Sequence, residues 1–186
     1  MNAKDTIQSV TKFLELSLDA QTLSFFLDIK KSFGDDDELF CDFLYRYLTI
    51  QKGGMAPLED KIYNDFCLYF SRFAEIQGEN KILEQIARYA KYYLMLRLEY
   101  IDDDDFAKSI SVINSYEVWD VYPFLLELVD DFENQRIDKN ALINMLEMVE
   151  DLAYKKINGE IDTDLASLGV DINKMLFDTN TMRNAG

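Results

Sequence analysis

Apolar residues recur every three or four positions along most of the chain, which is the spacing of helices that bury one face. In 39–50 one face carries Phe40, Phe43, Leu44, Tyr47 and Leu48, and in 139–157 one face carries Leu142, Ile143, Leu146, Val149 and Ala153. Seven glycines and two prolines are too few for the turns of a many-stranded sheet. We therefore predict an all-α fold, an irregular multi-helix bundle of about eight or nine helices.

Polar residues mark where these helices begin and end. Four side chains are expected to cap helix N-termini: Asp5 (with Gln8 completing a capping box), Asp19, Asn80 and Asp138. The acidic runs 35–38 and 102–105 suit first turns, because carboxylates oppose the helix macrodipole there. Gly34 and Gly78 suit helix ends, and Pro57 suits the first turn of the helix that follows it.

The length of 186 residues fits one domain. We predict a single helical domain over 1–178, with its last helix within 163–177, and a disordered tail over 179–186. Ten apolar residues at helical spacing are predicted to be core: Phe43, Tyr47, Phe66, Phe70, Ile86, Tyr93, Leu125, Leu128, Leu146 and Val149.

The amino-acid composition excludes several classes of catalytic site and metal site. The chain has 35 acidic and 19 basic residues, a formal charge of −16, and no histidine. A charge of this sign repels phosphate, and the missing histidines exclude Ser-His and Cys-His nucleophiles and His-ligated zinc. An EF-hand begun at Asp102 or Asp131 lacks glycine at its sixth position. We predict no catalytic residue, no metal and no cofactor, and, with neither a signal peptide nor a 20-residue apolar run, a cytoplasmic protein.

Several stretches resemble one protein family. The stretch 42–48 (DFLYRYL), followed by 61–66 (KIYNDF), resembles that family's D-Y-L…I-Y-x-x-F passage. The stretch 86–93 is similar to its long helix, 122–128 (YPFLLEL) to its Y-P-x-L-L-x-L segment, and 154–159 with 171–176 to its Y-x-x-R-R-x-x-x-G…L-N-K-x-F segment. The chain thereby resembles the helical middle region of GmrSD-type modification-dependent (type IV) restriction proteins.

This resemblance implies a function. In that family the helical region lies between a ParB/sulfiredoxin-like nucleotide-hydrolysing domain and, in many members, an HNH nuclease domain. The chain lacks the family's Asp-Gly-Gln-Gln-Arg motif, and an HNH motif needs histidine. The resemblance therefore implies a fragment without either catalytic domain: a non-catalytic linking and positioning module of a nucleotide-dependent DNA endonuclease in phage defence. Its partners would be other domains or subunits of that restriction protein, without strong nucleic-acid binding of its own and without a membrane. The alternative is a stand-alone acidic helical protein, a DNA mimic or an adaptor, that acts through protein–protein contacts.

The only candidate contact residues are Lys155 and Lys156, which stand where the family has two arginines. Near a helix C-terminus, two lysines can simply oppose the macrodipole and bind the last carbonyl groups. The resemblance implies a contact with DNA phosphate or with an adjacent domain instead. Adjacent helical residues point about 100° apart, so at least one of the two is expected to be exposed.

Overall fold

The chain forms α-helices connected by short loops. The computed structural model describes residues 2–162, and within that range there are eight α-helices, two short 3-10 turns and no strand. This confirms the predicted all-α fold. The predicted helix within 163–177 and the predicted tail lie outside the described residues. The helices are α1 (Ala3–Ser17), α2 (Ala20–Lys31), α3 (Asp37–Gln51), α4 (Ile62–Gln77), α5 (Glu79–Arg97), α6 (Asp104–Ser115), α7 (Tyr122–Glu133) and α8 (Lys139–Ile157).

Carboxylate caps hold several helix starts as predicted. Asp19 accepts a hydrogen bond from the Thr22 amide at 2.8 Å, and Asp138 accepts one from the Ala141 amide at 2.8 Å. Of the second acidic run, Asp103 caps α6, whose first turn carries Asp104. Each cap satisfies an amide that has no partner within its helix.

Three predicted boundaries are wrong. Asn2, not Asp5, caps α1, so the expected capping box with Gln8 does not exist. Pro57 precedes the 3-10 turn Glu59–Lys61, which separates it from α4. Asn80 does not cap α5, because that helix already begins at Glu79.

The helix α5 ends at Arg97. Glu99 adopts a left-handed conformation (φ 56°), and the Tyr100 amide returns to the Met95 carbonyl at 3.0 Å. This arrangement satisfies a terminal carbonyl and turns the chain out of the helix.

The described structure groups into two compact units, where the sequence predicts one domain. Among the described residues, the first contains 2–51 and 56–94, and the second contains 52–55 and 95–162. All ten predicted core residues are buried, six in the first unit and four in the second: Phe43, Tyr47, Phe66, Phe70, Ile86 and Tyr93, then Leu125, Leu128, Leu146 and Val149.

Aromatic side chains fill the core of the first unit. Tyr47 of α3 packs edge-on against Tyr89 of α5, with ring centroids 5.7 Å apart, and Phe43 lies 5.6 Å from Tyr93. Phe43 precedes Tyr47 in α3, whereas its partner Tyr93 follows Tyr89 in α5, so the two helices run antiparallel. The buried hydroxyl groups of Tyr47 and Tyr69 are 2.7 Å apart and satisfy each other.

The second unit is built on α6, α7 and α8. Lys139, at the start of α8, forms ion pairs with Asp103 (2.7 Å) and Asp105 (3.3 Å) at the start of α6. Tyr116, at the end of α6, packs on Tyr154 near the end of α8, with centroids 6.2 Å apart. The N-termini of α6 and α8 contact each other, and so do their C-termini. The two helices are therefore parallel, and their C-termini lie on the same side of the unit.

Candidate functional site

The predicted contact residues Lys155 and Lys156 lie in the last turn of α8. The Lys155 ammonium binds Asp151, one turn earlier, at 2.6 Å, and that hydrogen bond raises the pKa of the lysine. The Lys156 ammonium binds Asp120, in the 3-10 turn before α7, at 2.9 Å. Their side chains are 42% and 28% exposed. The structure does not bring the two ammonium groups onto one ligand, because each pairs with its own carboxylate.

Arg97 and the single tryptophan form a stacked pair close to this helix end. The Arg97 guanidinium carbon lies 3.6 Å from the centre of the Trp119 ring, in cation–π geometry. Trp119 in turn packs edge-on against Tyr122, with centroids 5.7 Å apart. The sequence alone does not predict this pair, because residues 97 and 119 belong to different helical segments and no periodicity links them.

Asn114 holds the surrounding elements together through three hydrogen bonds. Its side-chain amide donates to the Leu96 carbonyl at 3.0 Å and to the Glu99 carboxylate at 3.1 Å. Its side-chain oxygen accepts a hydrogen bond from the Tyr122 hydroxyl at 2.7 Å. One side chain therefore fixes the ends of α5 and α6 relative to the start of α7.

A group of charged side chains marks the end of α7. Asp130, only 5% exposed, and Asp131 bind Arg136 at 2.5 and 2.6 Å. Glu127 lies one turn earlier on the same helix. Burial, and then the charges of Asp131 and Asp130, raise the pKa of Glu127 from 4.5 to about 7. In the sequence, this group shows only as three acids at positions 127, 130 and 131, a spacing that places them on one face of a helix.

The first acidic run borders a cleft in the first unit. A cavity of about 720 Å³ is lined by Asn2, Ala3 and Lys4 and by the four acids of 35–38. The acids have local partners: Asp36 accepts a hydrogen bond from the Leu39 amide at 2.8 Å, and Asp37 pairs with Lys30 at 3.3 Å. Their arrangement is that of a helix start, as predicted.

Neither cysteine has the environment of a nucleophile. Cys41 and Cys67 are both free thiols, and burial raises the pKa of each, to about 11 for Cys41. A raised pKa keeps a thiol protonated, whereas catalysis and metal binding use the thiolate.

Among residues 2–162, no three histidine, cysteine or acidic side chains are grouped so that they would hold a metal ion. In the same range, no helix combines the length and the apolar character needed to cross a membrane. Comparison with protein-family models, with curated proteins and with solved structures gave no match to this chain.

Proposed function

We propose that the chain is a non-catalytic helical module of a modification-dependent restriction protein, in which it links and positions other domains or subunits through protein–protein contacts. The observation that supports the proposal is where the family-like residues lie. The stretches 42–48 and 86–93, which resemble the family, pack on each other in the core of the first unit. The Tyr93 hydroxyl donates to the Asp42 carboxylate at 2.7 Å, and Tyr47 packs against Tyr89. The residues that carry the resemblance in α3 and α5 are therefore in direct contact in the fold.

The ion pairs of Lys155 and Lys156 favour a contact with protein over a contact with phosphate. Each ammonium already has a carboxylate partner within the chain, and the formal charge of −16 opposes a polyanion. Exposed ion pairs contribute only about 0–1 kcal/mol, so both lysines are replaceable without loss of the fold. Their expected role is to hold the end of α8 in place at a protein interface.

The proposal is tested in cells that carry the complete gene in its native context. Plating of a phage with modified bases is compared with plating of the same phage with ordinary bases. Deleting the gene should abolish restriction of the modified phage only. Equal plating with and without the gene would refute the role in restriction.

Charge reversal then tests the end of α8. Lys155→Glu with Lys156→Glu should leave the protein folded and weaken restriction, because the reversal breaks the two ion pairs that hold the end of α8 in place. The matched control is Lys30→Glu with Lys31→Glu, because these two lysines are also adjacent and occupy the last turn of α2. Unchanged restriction by the 155/156 variant would assign these lysines to helix stabilisation alone.

The second candidate function is a stand-alone acidic binding protein that mimics DNA or serves as an adaptor. It is favoured by the pairing of six basic side chains with the chain's own carboxylates: Lys30, Arg46, Arg136, Lys139, Lys155 and Lys156. This pairing leaves the remaining acids to set the sign of the surface potential. A DNA mimic should displace labelled duplex DNA from a DNA-binding protein, and no displacement at a hundredfold excess of the chain would exclude mimicry.

A further inference from the structure

Exposed apolar side chains concentrate on one side of the second unit, where α5, α6 and α8 end. In the described part of this unit six large apolar residues are exposed, and four of them lie in the last turns of these helices or just beyond them. These four are Leu98, Tyr100, Tyr154 and Ile157, each at least 45% exposed. Single exposed apolar residues are ordinary on protein surfaces, but grouped ones mark interaction sites.

The end of α6 contacts both the end of α8 and the end of α5. Tyr116, the C-cap of α6, packs on Tyr154 of α8, and Asn114 binds the Leu96 carbonyl next to Arg97. We call the surface formed by Tyr116, Trp119, Tyr154 and Ile157, with Arg97, the aromatic end. Its composition of tryptophan, tyrosine and arginine is that of binding hot spots.

The aromatic end is held rigid before any partner arrives. Stacking on Trp119 fixes Arg97, and the ion pair of Lys156 with Asp120 fixes the 3-10 turn against α8. A partner that binds there therefore loses little affinity to ordering these side chains.

Charge determines which partner fits. Five acids lie on or beside the aromatic end, against three basic residues: Glu99, Glu117, Asp120, Asp151 and Glu160, against Arg97, Lys155 and Lys156. The three helix C-termini each add partial negative charge. The surface is therefore complementary to cations, and it opposes both DNA and a second copy of this chain, whose formal charge is also −16.

We propose that the aromatic end docks a basic segment of a partner protein that alternates lysine or arginine with apolar residues. Cationic side chains of that segment would lie over the half-exposed Tyr154 ring and pair with Glu117 and Glu160, while its apolar side chains cover Ile157. This inference rests on the proposed role in protein–protein contacts and adds the chemistry of the partner.

A methyl NMR titration of the full chain tests the docking. The probe is a 14-residue peptide of alternating lysine and leucine, and two control peptides replace leucine by glutamine or lysine by glutamate. The Ile157 methyl signal should shift with the lysine–leucine peptide. The matched reference is Ile76 on α4, which is 71% exposed in the first unit and should not shift.

Variants then test whether the affinity for the lysine–leucine peptide depends on the aromatic end. Tyr154→Ala with Ile157→Ala, and separately Glu117→Lys with Glu160→Lys, should each weaken binding of the lysine–leucine peptide by about tenfold or more. Leu68→Ala with Ile76→Ala should leave it unchanged. The unaltered tryptophan fluorescence of each variant would show that the second unit is folded.

Four results would overturn the inference. The first is an equal shift of the Ile76 and Ile157 signals, and the second is binding of the peptide in which glutamine replaces leucine. The third is a shift of the Ile157 signal with the glutamate peptide or with duplex DNA. The fourth is an Ile157 signal that shifts with protein concentration when no peptide is present. The phage assay is independent of this titration, so a failed titration removes the basic partner without removing the role in restriction.

Discussion

Replacing Glu127 by glutamine should make the second unit more stable, and more so at alkaline than at acidic pH. The carboxyl group is largely buried near Asp131 and Asp130 on α7, so its ionisation in the folded protein is unfavourable. Glutamine has nearly the same shape and does not ionise. The substitution therefore removes the charge and keeps the packing.

The size of the effect follows from the two pKa values. The pKa of Glu127 is about 7 in the folded protein against 4.5 for an unperturbed glutamate, so the folded state holds this proton more tightly. The stabilisation from the protonated form is fully present below pH 4.5 and is lost as the pH rises through 7. Each pKa unit corresponds to about 1.4 kcal/mol, which gives a total loss of about 3 kcal/mol. Most of this loss, about 2–3 kcal/mol, falls between pH 5 and pH 8.

Urea unfolding at pH 5 and pH 8, followed by the fluorescence of Trp119, measures this loss. Trp119 is the only tryptophan and lies in the same unit as Glu127, so its signal reports that unit. The difference in unfolding free energy between Glu127→Gln and the unaltered chain should grow by about 2–3 kcal/mol from pH 5 to pH 8. Titrations common to both proteins cancel in this difference.

Two further variants test whether burial or neighbouring charge causes the raised pKa of Glu127. Glu147→Gln, on the exposed face of α8, is the control for removing a glutamate charge outside the core. Asp131→Asn should reduce the pH dependence contributed by Glu127 and leave most of it, because burial outweighs the charge of Asp131. A Glu127→Gln effect that is the same at pH 5 and pH 8 would refute the burial argument.

Three other substitutions test the packing and the caps by urea unfolding. Leu146→Ala should cost about 2–5 kcal/mol, because this α8 side chain is only 1% exposed and its removal leaves a cavity; a loss below 1 kcal/mol would show that it is not core. Tyr47→Phe should cost about 0.5–1.5 kcal/mol, because it removes the hydrogen bond between the Tyr47 and Tyr69 hydroxyls while Tyr69 still donates to Gln85 at 3.4 Å; an unchanged midpoint would show that the pair contributes nothing. Asp138→Ala should cost about 1 kcal/mol and Asp138→Ser much less, since serine also caps; equal losses would exclude the cap of α8.

Local sequence determined most of the helices. α8 begins and ends at the predicted residues, Lys139 and Ile157, because its apolar spacing and its capping aspartate are both short-range signals. The same spacing identified the buried faces, and all ten predicted core residues are buried. Errors came at ends with several polar candidates, as where Asn2 rather than Asp5 caps α1.

The candidate site was predictable only in part. The sequence placed Lys155 and Lys156 at the end of a helix, but it did not indicate that Lys156 pairs with Asp120, 36 residues earlier. It gave no sign that Glu127 differs from the other acids, whereas burial raises the pKa of this carboxyl group to about 7. Burial and distant pairing depend on how helices pack, and the spacing within one helix carries no such information.

The sequence by itself determined that the chain is helical, acidic and without histidine, because propensity, charge and composition belong to individual residues and their near neighbours. Only the tertiary structure decided that α6 and α8 run parallel, and that Arg97, Trp119, Tyr116 and Tyr154 come together where helices end. Arg97 and Trp119 are 22 positions apart in the chain, and Tyr116 and Tyr154 are 38 apart, so their meeting depends on the direction in which each helix packs.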